Sequence, residues 1–177
     1  MSLMDRLFNK PPKASATRTI LGLTGAMTAH QAWAEAAPVA KALDPDAKLT
    51  LITSGLDMSP EGRSRTWEFI FFLPRRKATA MLSLEPDPQS QDVDHAKVVL
   101  TQRTGAASAL DTQKPCFPDT FRDSPEVVAE FSAQGVDFIA GPSDMKLEGR
   151  VLPSGDAVWV TYDWDQERTT PFAVVVR

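Results

Sequence analysis

The stretch Trp67-Glu68-Phe69-Ile70-Phe71-Phe72-Leu73 constrains this chain more than any other. Trp67, Phe69, Phe71 and Leu73 fall on every second position, the period of a β-strand with one buried face. The positions between them, Glu68, Ile70 and Phe72, are not the polar set that a solvated second face calls for. This strand therefore needs cover on both sides, and its own unit supplies only one.

Neighbouring segments show what that unit is. Thr28 followed by Gln31 is a capping-box pair, in which a hydroxyl and an amide satisfy orphan backbone groups reciprocally. Ala29, Trp33, Ala36, Ala40 and Leu43 then recur at helical spacing. Pro38 removes a backbone donor and crowds the carbonyl of Ala34, so 28–43 reads as a kinked helix or two short ones, ended by Asp44-Pro45-Asp46. Strands follow at 47–53, with Leu49 and Leu51 on one face, at 65–73, and at 77–84, where Ala78, Ala80, Leu82 and Leu84 share a face. The 54–64 loop holds Pro60 and Gly62, and Pro74-Arg75-Arg76 fits a tight hairpin turn. Arg75, Arg76 and Lys77 read as solvated turn charges.

The same order recurs downstream. Ser124 as N-cap and Pro125 at the first helical position start a helix with Val127, Val128 and Phe131 on its apolar stripe and Gly135 as its stop. Strands 145–152, 157–164 and 171–176 follow, the first two joined by Pro153-Ser154-Gly155-Asp156. Thr28 lies 96 residues before Ser124, Leu49 lies 98 before Leu147, and Trp67 lies 92 before Trp159. The expected fold is α+β: two repeated units, each a helix packed on a curled antiparallel sheet of three to four strands. Residues 1–27 are an N-terminal extension, 28–85 the first unit, 86–122 a connector with one further strand at 96–102, and 123–177 the second unit. Met1-Ser2-Leu3 before Met4 reads as a cloning addition.

This order, with the phrases DPDAKLTLITSG and GRSRTWEFIFFLP, resembles the cystatin-like PepSY domains. The likeness covers residues 28–85 well and 123–177 loosely. It implies a cystatin-like, non-catalytic domain that binds or restrains another protein, and it brings no catalytic residues with it.

Composition narrows the function classes. Of 177 residues, 42% are hydrophobic and 24% charged, the balance of an ordinary globular chain. A net charge of -4 and a pI near 5.2 argue against nucleic acid as a partner. One cysteine, Cys116, permits no internal disulfide, and its proline-flanked setting reads as an idle or buried thiol. No run approaches the roughly 20 apolar residues of a membrane helix, so no membrane partner is expected. The expected compartment is the cytoplasm. Export is the alternative if the basic residues up to Arg18, the run at 20–29 and Ala32-Trp33-Ala34 act as a signal peptide.

Chemistry is sparse. His30, in a first helical turn, and His95, among loop carboxylates, read as solvent-facing, and with one cysteine they fall short of the usual zinc set. Asp163-Trp164-Asp165-Gln166-Glu167 opens like a calcium loop but has Arg168 where the glycine belongs, so it reads as a strand end entering a polar turn. Gly22 and Gly25 lack the Gly-Lys-Ser/Thr of a phosphate loop. No catalytic residue, metal site or cofactor is assigned. The expected function is protein binding or regulation through a sheet face or the loops. The candidate interface is Ile52, Ile70, Phe72 and Met81, taken to share the face opposite Trp67. Its cover is the other half or a bridging loop, a second copy in a homodimer, or a different protein. The alternative is an enzyme or small-ligand carrier with a site in the crevice between halves, lined by Trp33, the 54–64 loop and Arg63 or Arg65.

Overall fold

A capping box starts the first helix as its spacing predicts: the Thr28 hydroxyl accepts from the Gln31 N–H, and the Gln31 side chain accepts from the Thr28 N–H. The computed structural model describes residues 13–92, 94–138, 145–163 and 172–175. In chain order these form β1 (Lys13–Thr24), α1 (Ala29–Leu43), β2 (Lys48–Ser54), β3 (Trp67–Leu73), β4 (Ala78–Pro86), β5 (Lys97–Ala106), a 3-10 turn (Asp111–Gln113), α2 (Ser124–Ala133), β6 (Met145–Val151), β7 (Ala157–Asp163) and β8 (Phe172–Val175). Helix α1 is one element with Pro38 inside it, not two short helices. Asp123, one residue earlier than expected, caps α2.

The strands do not form two sheets. They form one sheet of eight in the order β1-β5-β4-β3-β2-β6-β7-β8, antiparallel at every step between strands. Strands β2 and β6, each the first after a helix, pair with one another through Ile52 opposite Gly149. The segment expected as an extension carries β1, an edge strand on β5.

Cross-strand partners share a face. Ile52, Phe69 and Leu82 stand opposite one another in register, as do Trp67 and Leu84, and the Ile52 row continues through Gly149 to Trp159. This face carries the core. Ala29, Ala32, Ala36 and Ala40 of α1 and Val127, Val128 and Phe131 of α2 join it in one buried cluster with Trp67, Phe69, Leu82, Leu147 and Trp159. Small residues on α1 let its backbone approach the bulky β3 face closely. Burying each large side chain here is worth about 1.5–3 kcal/mol. Both helices therefore cover the same side of the sheet.

Candidate interaction face of the sheet

On β2 the register shifts between Leu49 and Leu51, so Leu49 stands opposite Phe71 and Leu51 already opposite Ile70. Thr50 is the extra residue, and its hydroxyl donates to the Ile70 carbonyl at 3.0 Å. A bulge of one residue reverses which face each later side chain takes. Leu49 and Leu51 consequently part company, and Ile52 turns into the core, where it is 0% exposed. Ile52 does not share a face with Ile70, Phe72 and Met81. Leu51 takes its place there.

The remaining members lie where the alternation puts them. Leu51, Ile70, Met81 and Arg103 form one cross-strand row on the face away from the helices, and Phe72 lies beside it opposite Thr79. Ile70, Phe72 and Leu51 are half-buried, and Met81 is buried, 7% exposed. No described helix lies over this face.

The next row is polar over six strands and then reaches Val160 of β7, which is fully buried, as is Val158 on the same face. Thr17, Thr101, Ser83, Glu68, Thr53 and Glu148 stand opposite one another on β1, β5, β4, β3, β2 and β6. With strands about 4.8 Å apart, this row crosses about 24 Å of sheet. Thr53 and Ser83 are buried on either side of the half-buried Glu68. Glu148 draws Arg150 to 3.3 Å and Lys146 to 3.7 Å. Glu68 has no ion pair among the described residues. Burial pushes its carboxyl above the usual glutamate range, while Lys146, Arg103 and the Ser83 hydroxyl pull it back only in part. The Thr79, Met81, Ser83, Glu85 alternation of β4 supplies one member of this row, Ser83. Placing Thr53, and through it Glu148, needed the β2 bulge, for which Thr50 is an ambiguous sign.

The residues proposed for a crevice are not brought together. Trp33 packs among Phe69, Phe71 and Phe121. Arg63 is exposed and donates to the Ala26 carbonyl and the Gln31 side chain. Arg65 donates from Nε to Asp57 Oδ2 at 2.8 Å and lies 3.8 Å from Asp94. Burial alone would raise the Asp57 carboxyl, but hydrogen bonds from Ser64 and Arg65 outweigh it and hold the group below its ordinary value. This knot closes the 54–64 loop. Two surface grooves, one between α1 and the β1–β5 edge and one between the end of α1 and residues 116–119, include none of the three.

His30 is tied to structure: its Nε2 bonds the Phe121 carbonyl at 2.7 Å and its backbone N–H donates to Asp123. His95 lies 3.0 Å from Asp92 and is exposed. Cys116 is exposed. Asp163 ends β7, and the rest of the calcium-like run lies outside the described residues. Among the described residues no cluster of three or more His, Cys, Asp or Glu is placed to hold a metal, and no helix is long and apolar enough to cross a membrane. No family model matches the chain, and no curated protein or solved structure matches it.

Proposed function

We propose that this chain is a non-enzymatic binding protein that holds another protein on the face of its sheet opposite the helices. One observation carries the reading. Leu51, Ile70 and Phe72 are only half-buried on a face that no described helix covers, directly beside a polar row with a charged centre. An apolar patch bordered by polar groups is the usual make-up of an interaction surface. Six strands and about seven residues per strand give roughly 600 Å² of face, close to the roughly 800 Å² that each partner contributes to a standard interface.

The same reading takes the chain to be a duplication of a helix-plus-meander unit, of the kind that the PepSY resemblance implies. Its support is the order β4-β3-β2-β6-β7-β8, in which each meander runs outward from a central first strand. A pseudo-two-fold axis between β2 and β6 would relate the halves and make one broad face from two small sheets.

Two substitutions test the function together, Ile70→Ser and Phe72→Ser. A face that serves a foreign partner leaves the double variant monomeric, as stable as wild type and more soluble. A photo-crosslinking residue at position 72 should then join one protein from the source cells, and Ile70→Ser should abolish that adduct. A steep loss of thermal stability that does not depend on concentration means that the face is packed within the chain. A wild-type dimer that the double variant converts to a folded monomer means that the partner is a second copy.

A further inference from the structure

Helix α1 packs against β3 and β4, but the sheet runs on for two more strands, through β5 to the edge strand β1. Between helix and edge lies a groove of about 370 Å³. Val39 and Leu43 of α1, both half-buried, form its wall, Leu100 and Gln102 of β5 its floor, and Ala16 and Arg18 of β1 its outer rim. The register puts both rim residues on the helix side: Ala16 shares a row with Gln102 and Leu82, and Arg18 shares one with Leu100 and Leu84. Pairing of β1 with β5 is regular from Ala16 to Thr19 and irregular on either side of that stretch. All four of these residues are exposed. On an edge strand every second residue turns its backbone N–H and C=O away from the sheet, a template for one more strand. Arg18 reaches Glu35 of α1 at 3.6 Å, yet its side chain stays 55% exposed. A pair so open to water is weak and leaves the cation free to meet a second carboxylate.

We propose that β1 takes up an extended segment of another protein as an added antiparallel strand, with an acidic side chain opposite Arg18 and a large apolar one opposite Ala16. Main-chain hydrogen bonds supply the affinity in such an addition, and alternate side chains supply the choice of partner. The methyl group of Ala16 leaves the rim low, so a leucine or phenylalanine across from it passes over into the groove toward Val39 and Leu43. A carboxylate across from Arg18 makes a cross-strand ion pair. A second copy of β1 would instead bring its own Arg18 to this edge, like charge against like, so the occupant is a foreign strand. Every pairing between strands in the sheet is already antiparallel. In that direction the residue opposite Arg18 comes two positions before the residue opposite Ala16, and the partner's segment reads acid, any residue, apolar. This edge is separate from the face opposite the helices, and either site can fail without the other.

The test uses the full chain, isotopically labelled, and three capped pentapeptides: threonine-glutamate-threonine-leucine-threonine, the same with lysine for glutamate, and the same with alanine for leucine. At low salt the first peptide should shift the amides from Ala16 to Thr19 in a saturable way. It should also slow hydrogen exchange at alternate amides among them, the mark of an added strand. The lysine and alanine peptides should each bind about tenfold more weakly. Arg18→Glu, with an otherwise superposable amide spectrum, should reverse the preference between glutamate and lysine. Binding indifferent to that charge overturns the proposal, and so do shifts without slowed exchange at alternate amides. No shift from Ala16 to Thr19 at millimolar peptide overturns it as well. A wild-type dimer that protects those amides with no peptide present overturns it too, because the occupant is then a second copy.

Discussion

The Ser124 hydroxyl accepts the backbone N–H of Ala29 at 2.9 Å, joining the first turn of α2 to the first turn of α1. The same oxygen donates to the Gly62 carbonyl at 2.6 Å, and Asp123 accepts from the N–H groups of both Ser124 and His30. Two helix N-termini thus converge on one carboxylate, which offsets the positive ends of both dipoles. Ser124→Ala leaves the Ala29 N–H and the Gly62 carbonyl buried without their partner. It should lower the stability by about 2 kcal/mol in urea melts. Ser132→Ala, an exposed control on the same helix, should change it by less than about 0.5 kcal/mol. Equal effects at the two serines would show that the joint contributes nothing.

The tip of the Phe117 ring meets Gly149 on the core face: a Cβ built on Gly149 would stand 2.8 Å from the ring's Cζ. The ring fills the gap that glycine leaves in β6 and meets Phe121 and Trp159. Gly149→Ala should cost about 1–3 kcal/mol by overpacking. Adding Phe117→Leu to Gly149→Ala should recover part of that loss, since the two changes share one volume. A double variant as unstable as the sum of the singles would mean that ring and glycine do not constrain each other.

Much of this fold was legible because pattern and propensity agreed. The Trp67 to Leu73 alternation placed β3 and its buried face, and Thr28, Gln31, Pro125 and Gly135 marked helix ends within about a residue. The single sheet was not legible, because the pairing of Ile52 with Gly149 joins residues whose side chains are apolar or absent, and no local signal names a partner strand. Ile52 was misplaced because Thr50 looks like any strand threonine until its hydroxyl is seen on the Ile70 carbonyl. Residues 113–121 read as a mere connector, yet they bring Phe117 and Phe121 into the core. Two aromatics among prolines carry no periodicity to announce burial. Glu68 looked like one polar position spoiling an apolar face. Its neighbours Thr53 and Ser83 come from other strands, so only the register makes the row visible.

Trp67 and Trp159 occupy the second strands of the two meanders, both fully buried, but they differ at one atom. The Trp67 Nε1–H donates to the Met27 carbonyl at 2.9 Å, whereas Trp159 Nε1 is buried with no hydrogen-bond partner among the described residues. Trp67→Ala should cost about 3–5 kcal/mol by loss of packing. Replacement by phenylalanine separates packing from hydrogen bonding. Both variants lose similar volume, but Trp67→Phe also strands the Met27 carbonyl, while Trp159→Phe removes an unsatisfied donor. Trp67→Phe should therefore be the worse by about 1–3 kcal/mol in matched denaturant melts. The reverse order would show that the indole N–H of Trp159 is well served.

Glu68 and Asp57 should respond to pH with opposite signs. Burial raises the Glu68 carboxyl in the folded chain above its ordinary value of about 4.3 in the unfolded one. The folded state therefore holds that proton more tightly. Its contribution is fully present below the unfolded value and is lost as pH rises through the folded value. Glu68→Gln should match wild type in stability near pH 4 and exceed it at pH 7. Asp57 is held below its ordinary value once hydrogen bonds from Ser64 and Arg65 outweigh its burial. Its contribution is present above the unfolded value, about 3.9, and is lost as pH falls through the folded one. Asp57→Asn should thus cost stability at pH 7, and the cost should shrink on acidification. Denaturant melts of both variants and wild type across pH 3–8 read the two differences directly. A Glu68→Gln variant less stable than wild type at pH 7 would mean that the carboxylate is paired within the chain strongly enough to outweigh its burial.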